Sequence, residues 1–250
     1  MQRYFLKQFY HGEQEVRLQG EVYHHIAHVM RMSEGSRFYC VFLDEKACIC
    51  EIKKITSDTV IARIVGWENA QKELPVHITV ASGLPKADKL EWVIQKGTEL
   101  GADQFLPFIA ERSVVKWDAK KEAKKRERWK KIALEAAEQS HRNHLPDVSS
   151  PVSFKKLLEE SRTYKHMLVA FEESAKLGER RRFAEALSKM AEGDNVLMVF
   201  GPEGGLSPGE VRLLEESGFE TCGLGPRILR AETAPLYALA AISYHFELMR

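Results

Sequence analysis

The sequence predicts an α/β fold in which a small barrel-like β domain precedes a mainly parallel sheet with helices on both faces. Three observations lead to this prediction. Short β-rich segments separated by turn residues fill residues 1–73. A polar stretch then ends at Pro75. Beyond it, apolar strands alternate with helical segments, as in βαβ units. We therefore expect two domains, at residues 1–73 and 74–250.

Residues 1–73 carry several predicted strands and one short helix. Alternating apolar residues and β-branched residues mark the strands. Val22, Ile26 and Met30 fall at helical spacing, so a helix is expected over Val22–Met32. The strands are expected at Glu15–Gln19, Arg37–Leu43, Ala47–Ile55 and Thr59–Val65.

Residues 74–250 read as alternating strands and helices. Predicted strands lie at Val76–Ala81, Phe105–Ile109, Met167–Phe171, Val196–Phe200 and Phe219–Leu224. Predicted helices lie at Lys86–Leu100, Lys116–His144, Phe154–Ser161, Arg180–Met190 and Ala234–Met249, with a further one starting after Ser207. The last helix carries more apolar residues than one sheet face needs, so we expect part of it to contact a partner subunit.

Two of these strands each end in a glycine-proline loop that leads into a helix. One strand runs into Gly201–Gly205, and the other into Gly225–Pro235. Ligands of open α/β sheets bind beyond the carboxyl ends of the strands, although Gly-Pro is also an ordinary turn signal. The charged residues that these loops carry favour a site: Glu203, Arg227, Arg230 and Glu232. Neither the dinucleotide nor the P-loop fingerprint is present in this stretch.

The segment after the first of these loops predicts a helix start. Ser207 can cap the helix, Pro208 suits its first position, and Glu210 follows the cap by three residues. This spacing is that of a capping box.

The charge is unevenly distributed, although the net charge is only +1. Between Glu111 and Lys131, ten Lys and Arg residues face four Asp and Glu residues, a local excess of six positive charges. Such a run is either a solvated helix face or a platform for a polyanion. The segment Glu138–Asn143 follows with groups that can donate to phosphate or base edges.

Composition excludes several classes of protein. With 44% hydrophobic and 29% charged residues the chain has the composition of a globular domain. No apolar run approaches the roughly 18 residues of a membrane span, and the N-terminus does not resemble a signal peptide. The four cysteines are too few and wrongly spaced for a disulfide scaffold or a four-ligand zinc site. We therefore expect a cytoplasmic protein with free thiols and no metal.

The short helix of the first domain carries a histidine pair at helical spacing, His24 and His28. The pair is either a polar helix face or two ligands of a metal site that lacks further ligands nearby. A third interpretation is a phosphate-contacting face, in which Arg31 supplies a fixed charge and Arg3 joins it.

Taken together, several motifs resemble those of the ribosomal RNA small subunit methyltransferase E family, whose members are knotted methyltransferases of the SPOUT class. The paired signatures are Gly201–Gly205 and Leu224–Thr233. The resemblance extends over nearly the whole chain, and Ala231 stands where a threonine is frequent in the family. It includes His28–Met32, Gln95–Lys96, Glu99–Gly101, Glu111–Ser113, and Glu138–Gln139 with Arg142.

This resemblance implies an N-terminal PUA-like β-barrel and a SPOUT α/β domain with a deep trefoil knot. It implies S-adenosylmethionine as the cofactor, a homodimer, and methylation at N3 of one uridine in the decoding region of small-subunit (16S) ribosomal RNA. Two alternatives stay open: a non-catalytic RNA-binding protein, and a related SPOUT methyltransferase that acts on another RNA.

The resemblance also suggests roles for individual residues. Because uridine N3 is protonated at neutral pH, Arg230 is expected to stabilise the uridine anion, and Glu232 is either a base or a charge at a helix start. The expected cofactor residues are Gly201, Pro202, Glu203, Gly204, Gly205, Leu224, Gly225, Ile228, Leu229 and Arg230. The expected RNA-binding residues are Arg3, His28, Arg31, Lys96, Arg112, Lys116, Gln139, Arg142 and Arg227.

Overall fold

A computed structural model describes residues 1–113, 119–172 and 181–249 of the chain. Within it the chain forms two compact units. The first unit contains Met1–Glu73 together with Ala137–Leu145, and the second contains Leu74–Ala136 together with Pro146–Arg250. The short segment 137–145 thus folds with residues that lie far before it in the sequence.

The first unit is built on a five-stranded sheet in the order β1-β3-β4-β5-β2. Strand β1 runs parallel to β3, and the other neighbours are antiparallel. Alternate residues of the strands are buried, including three of the four free cysteines. The strands are β1 (Arg3–Phe5), β2 (Glu15–Gln19), β3 (Arg37–Val41), β4 (Ala47–Ile55) and β5 (Thr59–Trp67).

The helix of the first unit begins earlier and ends sooner than the sequence predicts. Helix α1 spans Gly20–His24 and continues into a π-helical turn at His25–Val29. Arg31 then adopts a φ of 49°, in the left-handed region. A residue in that region cannot extend a right-handed helix, which explains why the predicted helix does not reach Met32.

The second unit is built on a seven-stranded sheet in which every paired strand is parallel. Its order is β12-β10-β11-β6-β7-β8, and β9 pairs with β7. The mainly parallel sheet of the prediction is confirmed. The strands are β6 (His77–Gly83), β7 (Gln104–Ile109), β8 (Asp147–Val148), β9 (Val152–Ser153), β10 (His166–Ala170), β11 (Asn195–Phe200) and β12 (Glu220–Cys222).

Helices cover both faces of this sheet. They are α2 (Lys89–Glu99), α3 (Ala119–Gln139), α4 (Phe154–Ser161), α5 (Arg182–Lys189), α6 (Pro208–Glu216) and α7 (Thr233–Ser243), followed by a π-helical turn at Tyr244–Leu248. One core lies between the sheet and α2, α3, α5 and α7, and the other lies between the sheet and α4 and α6. None of the described helices is both long and apolar enough to cross a membrane.

Helix α3 is shorter than the predicted helix Lys116–His144. It ends at Gln139, and His141 has a φ of 60° that turns the chain out of the helix. The helical pattern of charges continues past this point in the sequence, which is why periodicity overestimates the helix. Residues 116–118 lie outside the described part of the chain.

Candidate active site

A cavity of about 700 Å³ lies in the second unit at the carboxyl ends of its central strands. The first cavity loop, residues 201–206, follows β11, and the second cavity loop, residues 224–231, follows β12. Small-molecule sites are typically roughly 300–1,000 Å³, and open α/β sheets place them at this edge. The remaining wall is formed by Lys89, Arg112, Ala170, Phe171, Glu172, Phe200, Pro208, Val211, Arg212, Glu215 and Ala234.

The first cavity loop turns back on itself so closely that two positions require glycine. A Cβ on Gly201 would lie 2.9 Å from the backbone nitrogen of Leu206. A Cβ on Gly83, at the end of β6, would lie 2.6 Å from Cδ of Pro202. The N–H of Gly205 donates to the carbonyl of Pro202 at 2.8 Å and closes the turn. The glycines therefore fix the shape of this loop through close backbone approach.

Glu210 anchors the far end of the first cavity loop. One carboxylate oxygen accepts the N–H of Ser207 at 2.8 Å, and Ser207 caps α6 in return, so the predicted capping box is confirmed. The other oxygen accepts the N–H of Glu111 at 2.8 Å. Next to it, Arg112 donates to the carbonyl of Gly204 at 3.0 Å. The segment after β7 is thereby fixed against the cavity.

The second cavity loop supplies the apolar part of the wall. Leu224 and Leu229 are partly buried, whereas Ile228 is 68% exposed. An isoleucine this exposed at a cavity wall offers apolar surface that a bound planar group can cover. The second cavity loop and its apolar side chains therefore suit a ligand that contains an apolar ring.

One lysine joins the first cavity loop to the start of α7 through two ion pairs. Lys89, the first residue of α2, places Nζ 3.2 Å from Oε1 of Glu203 and 3.1 Å from Oε2 of Glu232. Glu203 also accepts the N–H of Lys86 at 3.0 Å. Burial opposes ionisation of Glu203, but backbone N–H groups and Lys89 hold its pKa below the ordinary value. Glu232 and then Glu203 raise the pKa of Lys89 above that of an ordinary lysine.

Two arginines of the second cavity loop, Arg227 and Arg230, are exposed at the wall. Within the described ranges, neither guanidinium has a carboxylate or hydrogen-bond partner. The carbonyl of Arg230 accepts the N–H groups of Thr233 and Ala234 at 2.9 and 3.0 Å, which ties its backbone to the first turn of α7. A fixed backbone with an unpaired cationic side chain suits stabilisation of a developing negative charge.

Comparisons with known proteins assign the chain to a family. A family model described as an RNA methyltransferase domain matches residues 72–243, and one described as an RNA methyltransferase PUA domain matches residues 18–65. The chain is 53% identical over 253 residues to ribosomal RNA small subunit methyltransferase E of Bacillus subtilis (strain 168), with 100% of this chain and 99% of that protein covered. The chain belongs to the ribosomal RNA small subunit methyltransferase E family.

Further proteins are similar to the chain in sequence and in structure. The Synechocystis member is 33% identical over 223 residues, which cover 88% of this chain and 70% of that protein. A crystal structure of the Neisseria gonorrhoeae member bound to S-adenosylmethionine is 29% identical, covers 97% of both chains and has a TM-score of 0.84. A Legionella pneumophila protein solved with the same cofactor is 31% identical, covers 96% of both chains and has a TM-score of 0.82.

Two residues of the first unit that are expected to bind RNA, Arg3 and Arg142, are buried. Arg3 is 1% exposed; it forms an ion pair with Glu68 and donates to Oδ1 of Asn143 at 2.5 Å. Arg142 is 3% exposed and donates from Nε to Glu73 at 2.8 Å. Neither arginine therefore lies on an exposed surface. Folding brings these carboxylates to them, and the sequence alone does not reveal such pairing.

The histidine face of the first unit is exposed, as a contact surface requires. His24 and His28 are exposed with ring centroids 5.2 Å apart, and Arg31 follows them at the surface. Throughout residues 1–113, 119–172 and 181–249, no three side chains of the metal-binding types come together. The exposure of these side chains fits the polar-face and phosphate-contacting interpretations.

The remaining predicted RNA residues are spread over different surfaces. Gln139 is exposed in the first unit, whereas Lys96 forms an ion pair with Glu99 at 2.7 Å on α2. Lys116 lies outside the described residues. Part of the basic run is paired rather than free, because Lys125 and Arg128 both contact Glu91 of α2. The run therefore combines helix packing with exposed positive charge.

Sequence reasoning missed Lys89, although one signal pointed to it. Lys89 follows β6, and β6 lies beside β11 in the sheet. The carboxyl ends of neighbouring parallel strands meet at one edge, so residues just after β6 are candidates for the wall of the cavity. Knowing that β6 and β11 are neighbours, however, requires the strand order.

Proposed function

We propose that this protein transfers a methyl group from S-adenosylmethionine to N3 of one specific uridine in small-subunit (16S) ribosomal RNA. Family membership supports the activity, and the Neisseria relative was solved with S-adenosylmethionine. The observation that carries the proposal is a cavity of about 700 Å³ between two glycine-containing loops, with Arg230 exposed at its wall. A cofactor and an unpaired base have room to meet there.

The residues of the cavity fit this cofactor. When bound, it supplies an activated methyl group. A Cβ added at Gly204 would lie 3.1 Å from Cβ of Arg112. Because glycine has no side chain there, backbone groups of the loop stay accessible. Glu203 contributes by fixing the loop, since its carboxylate already binds Lys86 and Lys89. The proposed cofactor residues are Gly201, Pro202, Glu203, Gly204, Gly205, Leu224, Gly225, Ile228, Leu229 and Arg230.

The chemistry requires that the N3 proton pass to a base or to water before the nitrogen lone pair attacks the methyl group, and S-adenosylhomocysteine is the leaving group. Loss of that proton places negative charge on the carbonyl oxygens of the uracil ring. We assign Arg230 the role of stabilising this charge, because its guanidinium is exposed at the cavity. Of the two roles left for Glu232, the ion pair to Lys89 favours a charge that organises the start of α7 over a base.

RNA binding is proposed for the first unit and for the basic surface of the second. His28, Arg31 and Gln139 are exposed in the first unit, and Arg112 and Arg227 are exposed at the cavity. Lys96 and Lys116 belong to the proposal on sequence grounds. Arg3 and Arg142 are proposed to support this surface from within. In this division of function, residues 1–73 bind RNA and residues 74–250 carry out methyl transfer.

The proposal extends to the assembly of the protein. Tyr237, Tyr244 and Leu248 expose apolar surface on the C-terminal helical segment, which supports a homodimer. The proposed substrate is the RNA within a ribosomal particle in the cytoplasm. The trefoil knot implied by the family resemblance is proposed to involve the two cavity loops.

A binding measurement and a transfer measurement test the proposal together. S-adenosylmethionine should raise the melting temperature of the protein, because a ligand that binds only the folded state stabilises it, whereas ATP and NAD should not. Labelled methyl groups should pass from S-adenosylmethionine to small-subunit RNA from a strain that lacks this gene. Stabilisation without transfer to RNA or particles would contradict the proposal, and RNA binding without either effect would favour a non-catalytic RNA-binding protein.

A further inference from the structure

Lys89 has no role among the proposed catalytic, cofactor-binding or RNA-binding residues, although it lines the cavity. It begins α2, lines the cavity and lies between one carboxylate from each loop region. Its Nζ is 3.2 Å from Glu203 and 3.1 Å from Glu232. The side chains are 30%, 29% and 23% exposed respectively, so water only partly screens these charges.

The two carboxylates depend on Lys89 to different degrees. Glu203 has a second support in the N–H of Lys86, and its loop also packs against Gly83 through Pro202. For Glu232, Lys89 is the one polar side-chain partner found in the part of the chain that the structure describes. Its Oε2 is buried and lies 3.1 Å from the Lys89 ammonium, with which it forms an ion pair. The attraction is therefore one of charge, and its loss leaves the Glu232 carboxylate without a counter-charge.

A short chain of contacts leads from Glu232 to Arg230. Glu232 is the residue that precedes α7, and its side chain makes no capping hydrogen bond. The first N–H groups of this helix, from Thr233 and Ala234, donate to the carbonyl of Arg230 at 2.9 and 3.0 Å. One helical turn thus connects Glu232 to the backbone of Arg230.

We infer that Lys89 is a positioning residue for methyl transfer, which holds the first turn of α7, and with it Arg230, at the wall of the cavity. The inference rests on the proposed function. The raised pKa of Lys89 agrees with it, because the ammonium stays charged throughout the neutral pH range. Helix α2 also packs against α7, where Leu239 lies 3.4 Å from a Cβ built on Gly97. This packing holds Lys89 of α2 close to Glu232 at the start of α7.

The asymmetry of the two ion pairs predicts which kinetic constant changes. The first cavity loop keeps its other supports when Lys89 is removed, so cofactor affinity should change little. The first turn of α7 loses its ionic contact, so Arg230 should be misplaced during the reaction. Misplacement by about 1 Å can cost on the order of 10²-fold in rate. A merely structural role would instead change stability and both constants together.

The test compares Lys89→Met, Lys89→Arg and the control Lys165→Met. Lys165 forms a similar ion pair with Asp194, at 2.7 Å, but just before the amino end of β10, whereas the cavity lies at the carboxyl ends. Calorimetry with S-adenosylhomocysteine measures cofactor affinity, and transfer to small-subunit RNA at saturating S-adenosylmethionine measures kcat. Lys89→Met should lower kcat about tenfold or more and change Kd by less than about threefold. Lys89→Arg should restore most of kcat, and Lys165→Met should match the wild type.

A double-mutant cycle with Glu232→Gln keeps the test decisive if Lys89→Met is unstable. If the two residues act through one contact, Glu232→Gln should lower kcat in the wild type and add less than about twofold in the Lys89→Met background. Additive losses, an unchanged kcat in Lys89→Met, or a Lys89→Arg variant as slow as Lys89→Met would overturn the inference. Failure of the proposed function would look different, because the wild type itself would then bind S-adenosylhomocysteine without methylating the RNA.

Discussion

At the scale of single residues, the cavity is defined by which charges are paired and which are not. Lys89, Glu203 and Glu232 neutralise much of one another, whereas Arg227 and Arg230 have no side-chain partner among the described residues. An unpaired guanidinium at a cavity wall retains its full capacity to stabilise an anion. Arg230, whose backbone is tied to α7, is the better placed of the two for chemistry.

The first prediction concerns these two arginines. Arg230→Ala should lower kcat on the order of 10²-fold, as does loss of a group that stabilises transition-state charge. The Kd for S-adenosylmethionine should stay within about threefold of wild type. Arg227→Ala should instead raise the KM for RNA, because a phosphate contact contributes to binding. Turnover by Arg230→Ala within about threefold of wild type would remove this residue from the mechanism.

The second prediction concerns the close approach of two backbones at the cavity. In Gly83→Ala, the new methyl group would lie 2.6 Å from Cδ and 2.8 Å from the nitrogen of Pro202, so the first cavity loop must shift. We expect about 1–3 kcal/mol of destabilisation, measured by urea unfolding, together with weaker binding of S-adenosylmethionine.

The matched control for that substitution is Gly209→Ala. A Cβ at this position meets nothing closer than Ser207 Oγ at 3.8 Å, within helix α6. Alanine there should be neutral or stabilise by up to about 1 kcal/mol. Equal effects of the two substitutions would show that the approach of Gly83 to Pro202 does not matter.

At the scale of elements, the first turn of α6 links two segments of the cavity. Glu210 accepts N–H groups of Ser207 and Glu111 and is 6% exposed. A helix start thus fixes both the first cavity loop before it and the segment that follows β7.

The third prediction follows from this double contact. Glu210→Ala removes a capping-box partner and leaves two N–H groups without their acceptor, so it should destabilise the protein by about 2 kcal/mol in chemical unfolding. The control Glu216→Ala lies on the same helix, where Glu216 is 61% exposed and 3.6 Å from Arg212. It should cost less than about 0.5 kcal/mol. A loss at Glu210 no greater than at Glu216 would contradict the role given to this residue.

The fourth prediction concerns how segment 137–145 is held in the first unit. Burial opposes ionisation of Glu73, but Arg142 and the N–H groups of His144 and Asn143 outweigh it and lower the pKa of Glu73. A carboxyl with a lowered native pKa contributes stability that is fully present above its unfolded pKa of about 4.3. That stability is lost as the pH falls through the native value, because the unfolded chain binds the proton more readily.

Unfolding by urea between about pH 6 and about pH 3.5 measures this contribution. Glu73→Gln should be less stable than wild type at the higher pH, and the difference should shrink as the pH falls. Glu34→Gln, in an exposed turn of the same unit, should stay within about 0.5 kcal/mol of wild type throughout. A difference for Glu73→Gln that is constant with pH would rule out an ionised Glu73 as its source.

At the scale of the whole molecule, the stretch from β11 to α6 is the part that local sequence specifies most fully. The apolar run Val196–Phe200 predicts a buried strand, and all five of its residues are buried. Ser207 and Glu210 predict the helix start because capping depends on residues three positions apart. Signals of this kind act within one turn or one strand, so they can be read without the fold.

Other features depend on contacts that the sequence does not display. The sequence predicts that Arg3 and Arg142 bind RNA, yet both are buried and form ion pairs with Glu68 and Glu73. Lys89 becomes part of the cavity only because β6 lies beside β11 in the sheet. Hydrophobic periodicity reports which face of an element is buried and not which element covers it. The strand order, and the knot that the family resemblance implies, lie beyond such patterns.

The two units together suggest how the molecule works as a whole. The exposed histidine face of the first unit and the exposed arginines of the cavity are both suited to RNA. In the proposed function, the cavity holds cofactor and base together, and Arg230 is the group that favours attack by a deprotonated uridine nitrogen. The product of the reaction identifies this chemistry more directly than any binding measurement.

The decisive measurement is therefore the identity of the methylated nucleoside. Small-subunit particles from a strain lacking this gene would be incubated with the protein and S-adenosylmethionine, and the RNA digested and analysed by mass spectrometry. We predict one 3-methyluridine per RNA molecule, at a single position, formed on the order of 10²-fold more slowly with Arg230→Ala. Two kinds of result would contradict the proposed function. One is methylation of another base, of another uridine atom or of many positions, and the other is no methylation of either particles or naked RNA.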